Sequence, residues 1–292
     1  PELKQMSEAN NWSIQETHDR LKAYYDGYHF SRRNMVDVYN PYSLVNALKS
    51  KEIINFWASS GATSLLPKFV DNAELRLSKF ENCSVMRNTL ELSDVSGGGA
   101  ELFLYQSGYL TIKESDEFGY ILGFPNEEVK QALYETVLPA LAMRSENEIQ
   151  SLQAGLYREL GTGQIDEAMN SLKALIADVP YSNKKLASMD MEERYRLIIS
   201  TIMNAIGLSV EVEKMISTGR IDMTVKTSRY IYVIELKLRN NGGKEAATEQ
   251  ILNRQYMEPF KADKRKVIGL GIELDEEGKG LLDWKRTESF SE

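Results

Sequence analysis

Residues 219–237, GRIDMTVKTSRYIYVIELK, constrain the fold more than any other stretch. Two apolar runs flank a polar turn, so they read as two strands of a hairpin. Side chains alternate across a strand. In 230–238, Ile231, Val233, Glu235 and Lys237 therefore share one face, and Tyr232, Ile234, Leu236 and Leu238 share the other. In the preceding strand Asp222, Thr224 and Lys226 lie on one face, with Ile221, Met223 and Val225 on the other. A two-residue turn at 227–228 sets Asp222 opposite Val233, and a four-residue turn at 227–230 sets it opposite Glu235. Either register gathers Asp222, Glu235 and Lys237 on one face. Directly opposed Cβ atoms lie roughly 5 Å apart, which suits two carboxylates converging on one hard cation.

Two such carboxylates repel and lose hydration unless something compensates. Lys237 offsets one charge. A Mg²⁺ or Mn²⁺ ion would offset the rest, because Mg²⁺ takes one or two carboxylates together with water and phosphate oxygens. Such an ion readies a water as nucleophile and stabilises charge building on a phosphate. Lys237 could position or deprotonate that water, or neutralise the same charge. The other reading of Glu-x-Lys is a weak ion pair on an exposed sheet. The flanking YIYVI and L-x-L point instead to a buried central strand, and Gly219-Arg220 opens the acidic one.

The surrounding pattern is α-β-β-β-α-β. Residues 190–206 form an amphipathic helix with Met191, Tyr195, Ile198, Ile199, Ile202 and Ile206 on one face, ended by Gly207. Strands near 209–213, 221–226 and 230–238 follow, then a helix over 244–257 and a strand at 266–273. Upstream, a helix is expected to run through about Lys22 and break at YYDGYHF. Asn40 and Pro41 start the next one. SGGGA (96–100) reads as a flexible joint. Strands at 109–113 and 119–123 sit between helices, which is the outline of a winged-helix unit. Residues 145–177 are helical with a break at GTG (161–163), and DVPYSN (178–183) is a loop.

Residues 219–260 resemble the C-terminal domain of a bacterial family in the PD-(D/E)XK nuclease superfamily, with GR-x-D, a strand ending E-h-K, and a helix bearing Gln-Ile and Tyr. The resemblance implies a restriction-endonuclease-like core of α/β (α+β) class with a mixed sheet. It implies catalytic roles for Asp222, Glu235, Lys237 and Gln250, with Asp222 and Glu235 as ligands of Mg²⁺ or Mn²⁺. Glu193 matches the Glu that this superfamily adds from its first core helix, while Asp190 with Glu193 is also a capping-box arrangement. Gln250 could bond a phosphate or a motif carboxylate, or face solvent. Arg254, one turn on, shares its helix face. Arg220 could reach a backbone phosphate or brace the sheet edge.

YYDGYHF, NPYSLVNAL, FWASSGA, LYQSGYLTIK and LGFPNEEV, spread over residues 24–130, resemble the end of the AAA-ATPase-like module that precedes this nuclease-like domain in the same family. The resemblance implies three regions: 1–144 as the lid or winged-helix-like, mainly helical part, 145–179 as a helical connector, and 180–292 as the nuclease-like domain. The implied partners are nucleic acid, DNA ahead of RNA, and an upstream ATPase domain of the same chain. The chain has no G-x-x-x-x-G-K-[ST], so no ATP site is expected in it. It starts Pro1-Glu2-Leu3 with neither Met nor a signal peptide, and is expected to be a fragment of a longer, cytoplasmic protein. Tyr24, Tyr25, Tyr28 and Phe30 are expected to pack in a core or between domains.

Composition removes other classes. One cysteine, Cys83, rules out an internal disulfide. His18 and His29 lack partners at zinc-ligand spacing. Residues 1–179 carry 16 Lys/Arg against 25 Asp/Glu, net −9, and residues 180–292 carry 19 against 18, net +1. A polyanion therefore has its better landing in the C-terminal part. No apolar run reaches the length of a membrane span. The remaining alternative is a nuclease-like module without catalysis, acting through protein or nucleic-acid contacts.

Overall fold

The computed structural model describes residues 1–29, 35–60, 77–91, 99–142, 146–177 and 189–288. The 178–183 loop, most of the 96–100 joint and Phe30 lie outside them. The chain divides into two compact units, Pro1–Thr136 and Val137–Glu292. No helix among the described residues is long and apolar enough to cross a membrane.

In the first unit α1 (Glu2–Asn10), α2 (Ile14–Tyr25) and α3 (Pro41–Ser50) close on Met6, Leu21, Tyr25 and Ala47. The single helix expected through Lys22 is two. Asn11 adopts the left-handed conformation, and the Ser13 hydroxyl accepts from the Glu16 N–H, capping α2. Tyr25 is fully buried and meets Tyr24 edge-to-face at 5.0 Å. β1 (Cys83–Met86), unforeseen from sequence, joins the hairpin of β2 (Thr111–Ser115) and β3 (Gly119–Gly123) in a sheet of order β1-β3-β2. In the chain that hairpin stands between α4 (Gly99–Gln106) and α5 (Glu127–Ala142).

The second unit holds α6 (Glu146–Thr162), α7 (Ile165–Ala177) and α8 (Met191–Ala205). A five-stranded mixed sheet follows: β4 (Ser209–Ile216), β5 (Gly219–Lys226), β6 (Tyr230–Leu238), β7 (Lys266–Leu274) and β8 (Leu281–Glu288). Helix α9 (Gly243–Asn253) connects β6 to its parallel neighbour β7, and the other pairings are antiparallel. β6 is thus the central strand, fully enclosed from Ile231 to Leu236. Its two faces are buried differently. Ile231 and Val233 cluster with Ile251 of α9 and with Tyr256, Met257 and Phe260. Tyr232, pointing the other way, donates through its hydroxyl to the Leu160 carbonyl of α6 at 2.6 Å.

Two glycines let α9 lie close on β7. A Cβ at Gly271 would meet the Lys244 carbonyl and the Thr248 amide, both at 2.7 Å, and one at Gly269 would meet Ile251 at 3.1 Å. Backbone cannot yield as a flexible side chain does. Gly271→Val is therefore expected to destabilise the second unit by about 3 kcal/mol through overpacking. Urea unfolding checks this, with Gly161→Ala as control because a Cβ there meets nothing within 4 Å.

Candidate functional site

β5 and β6 form a regular antiparallel ladder from Lys226–Ile231 to Met223–Ile234, and the pairing stops there. Its register belongs to a four-residue turn, so the next position sets Asp222 opposite Glu235. At that point side chains replace the ladder. The Asp222 N–H faces Glu235 Oε2 at 3.5 Å, and the Leu236 N–H donates to Asp222 Oδ2 at 3.0 Å. β4 gives way at the same level. Its pairing with β5 passes from Val212–Met223 to Lys214–Ile221, and Glu213, the residue skipped, has φ 54°. A left-handed non-glycine residue beside an interrupted ladder is local strain of the kind that gathers at functional sites.

Both carboxyls in the break are buried, Asp222 at 6% and Glu235 at 2% exposure. Gln250, from α9, donates through Nε2 to Glu235 Oε1 and, at 3.4 Å, to the Tyr256 hydroxyl. Lys237 Nζ stands 4.0 Å from Glu235 Oε1. Burial first, and the neighbouring Asp222 charge second, push the Glu235 carboxyl up to about 8, and Lys237 only partly offsets them. Burial and the neighbouring charge thus favour the protonated form of Glu235.

Asp222 has a partner that sequence reasoning missed. Arg196 of α8 donates from Nη2 to Asp222 Oδ1 at 3.1 Å and from Nη1 to Glu213 Oε1 at 3.2 Å. Nothing in the spacing of residues 190–206 ties Arg196 to a strand Asp that follows it by 26 positions. Glu192 was missed too. Its Oε1 accepts from the Leu238 N–H and from Asn241 Nδ2, both at 3.2 Å, which fixes the end of β6 just beyond Lys237. Glu193 is half-buried in the first turn of α8, and its backbone N–H donates to the N-cap Asp190 Oδ1 at 3.0 Å. Arg220 and Arg254 are exposed and line one open cleft of about 570 Å³, together with Gly219, Gln250, Asn253 and Tyr256. Gln250 forms part of the wall between that cleft and Glu235.

Comparison with known proteins bears on this geometry. Residues 190–284 match the PD-(D/E)XK nuclease superfamily. The matched segment runs from the N-cap of α8 into β8 and holds Arg196, Asp222, Glu235, Lys237 and Gln250. The chain is also 26% identical over 277 residues to an uncharacterized protein in the vnfD 5′ region of Azotobacter chroococcum mcd 1. That alignment covers 90% of this chain and 51% of the relative, so the chain spans about half the relative's length. No solved structure matches it. PD-(D/E)XK nucleases typically use Mg²⁺ or Mn²⁺.

The donor set fits such an ion. Two buried carboxylates share one break, and each keeps lone pairs beyond those its protein partners occupy. Oxygen donors of this kind suit a hard cation that retains water. Among the described residues no three of His, Cys, Asp and Glu gather as a ligand cluster, so a cation here would meet two carboxylates rather than a cage.

Proposed function

We propose that residues 190–284 form a Mg²⁺- or Mn²⁺-dependent phosphodiester hydrolase that acts on nucleic acid, DNA ahead of RNA. The supporting observation is that Asp222, Glu235, Lys237 and Gln250 meet at one break in the central ladder, inside the matched segment. Asp222 and Glu235 hold the cation, which when bound neutralises charge on a phosphate and acidifies a water. Lys237 positions that water or takes its proton, in reach of the buried carboxylate pair. Gln250 fixes the Glu235 carboxyl. Arg220 and Arg254 hold backbone phosphates in the adjoining cleft. Glu193, in the first turn of α8, supports the carboxylate pair from outside it rather than adding a third ligand.

The rest of the proposal concerns setting. Residues 1–144 act as the lid or winged-helix-like end of an AAA-ATPase-like module, with the helix–hairpin–helix succession α4, β2, β3, α5 in support. Residues 145–179 connect it to the nuclease-like domain over 180–292, and an upstream ATPase domain of the same cytoplasmic chain is the partner. The length of the relative leaves room for such a module.

One observation favours a second reading, a nuclease-like module that binds without cutting. Arg196 already supplies a positive charge to Asp222. Calorimetry with Mg²⁺ or Mn²⁺ decides between them. Binding by the wild type and its loss in Asp222→Ala support the hydrolase. No binding by either protein, with a panel of DNA and RNA left intact, removes the hydrolase and leaves the binding module.

A further inference from the structure

Arg196 and Arg220 compete for a single atom. Arg220 Nη1 lies 3.0 Å from Glu213 Oε1, the same oxygen that Arg196 Nη1 reaches at 3.2 Å. The two guanidiniums are not equivalent. The Arg220 side chain is 53% exposed and lines the cleft, whereas that of Arg196 is 13% exposed and also spans to Asp222 Oδ1. Arg196 Nε is buried with no hydrogen-bond partner among the described residues, so two nitrogens alone anchor this guanidinium. Glu213 is held at positive φ directly across the interrupted ladder from Asp222. The chain of contacts therefore runs from the cleft through Arg220, Glu213 and Arg196 to a proposed ligand oxygen.

We infer that Arg196 is a displaceable built-in counter-ion, and that a phosphodiester backbone entering the cleft releases it from Asp222. This inference rests on the assignment of Asp222 as a cation ligand. Without nucleic acid, Arg196 neutralises Asp222 and opposes a second cation at the same oxygen. A phosphate that takes Arg220 leaves Glu213 Oε1 with one guanidinium. A carboxylate–guanidinium pair strengthens when a competing like charge departs, so Arg196 swings toward Glu213 and uncovers Asp222. Cation and polyanion then bind with positive coupling, and the hydrolytic ion assembles chiefly where substrate lies. Linkage makes the coupling reciprocal: the cation tightens nucleic acid by the same factor. Arg196 is a positioning residue in this scheme, acting through Asp222 alone.

The test is Mn²⁺ affinity by calorimetry on the full chain, with and without a short phosphorothioate-backbone DNA duplex that resists hydrolysis. The duplex should tighten Mn²⁺ about tenfold in the wild type. Arg196→Met should bind Mn²⁺ about tenfold more tightly without duplex and gain little from adding it. A merely structural Arg196 would weaken binding instead. Arg220→Ala, an exposed change that leaves the fold alone, should mimic the duplex-bound state and tighten Mn²⁺ by itself. Glu213→Gln should stay weak with or without duplex, which separates the relay from general attraction of cations to DNA. Mn²⁺ binding that depends on Asp222 but is unchanged in Arg196→Met and Arg220→Ala, and indifferent to duplex, overturns the inference and leaves the cation site standing. Mn²⁺ binding to none of these proteins overturns both.

Discussion

Asp222→Asn is expected to lower metal-dependent DNA cleavage by at least about 10³-fold, the scale on which loss of one charge-stabilising group acts on a hydrolytic transition state. Asparagine keeps an oxygen for the Leu236 N–H, so the opening between β5 and β6 should hold its shape. What goes is the negative charge, and with it both the cation and the hold on Arg196. Lys237→Met separates binding from chemistry. Lys237 stands 4.0 Å from Glu235 Oε1 and touches the site from the side, so its loss should slow cleavage by about 10²- to 10⁴-fold with KM little changed. Initial rates at saturating Mn²⁺, beside melting curves for each variant, provide the measurement. Full activity in Asp222→Asn, with its fold intact, would sink the assignment of this carboxylate.

How much of this was legible in the sequence depends on whether a feature rests on periodicity or on long-range partners. The parity of β6 predicts its two faces because a central strand has no freedom to slip once both faces are buried. The register against β5 stayed double, since turn length was open. The structure resolves it at Thr227, whose backbone N–H donates to the Tyr230 carbonyl at 2.9 Å and whose hydroxyl accepts from the Tyr230 N–H at 2.9 Å. That bond pair closes the four-residue turn, and hydroxyls of this kind are known turn formers. β8 escaped notice because Asp283, Lys285, Arg286 and Glu288 break its apolar pattern. It is an edge strand, and its charges meet Lys244, Glu245 and Lys266 on neighbouring elements. Arg196 escaped for a related reason. Its helix position is read by period, but its role is set by Glu213, whose left-handed backbone interrupts the β4–β5 pairing opposite Asp222 in a way that no local pattern announces.

Metal-free protein is expected to lose stability as pH rises from about 4.5 to about 8, and added Mn²⁺ should reverse the trend. The cause is Glu235, whose carboxyl burial and Asp222 push up to about 8 from an ordinary value of 4.5. Between those limits the folded state keeps a proton that the unfolded chain has released. Stability then falls with pH, by at most about 1.4 kcal/mol per unit for one proton. Below about 4.5 both states are protonated and the contribution is level; above about 8 both are ionised and the full cost is reached. Glu235→Gln removes this titration, because its amide stays neutral throughout. The difference in urea midpoint between wild type and Glu235→Gln should therefore swing toward the variant across the window. A cation needs the ionised carboxylate, so its binding expels the proton, and Mn²⁺ affinity should rise up to about tenfold per pH unit from pH 6 to 8. Wild type and Glu235→Gln that keep a constant stability difference over this range, with Mn²⁺ affinity flat in pH, would show that Glu235 is already ionised in the break and that the carboxylate pair carries both charges unaided.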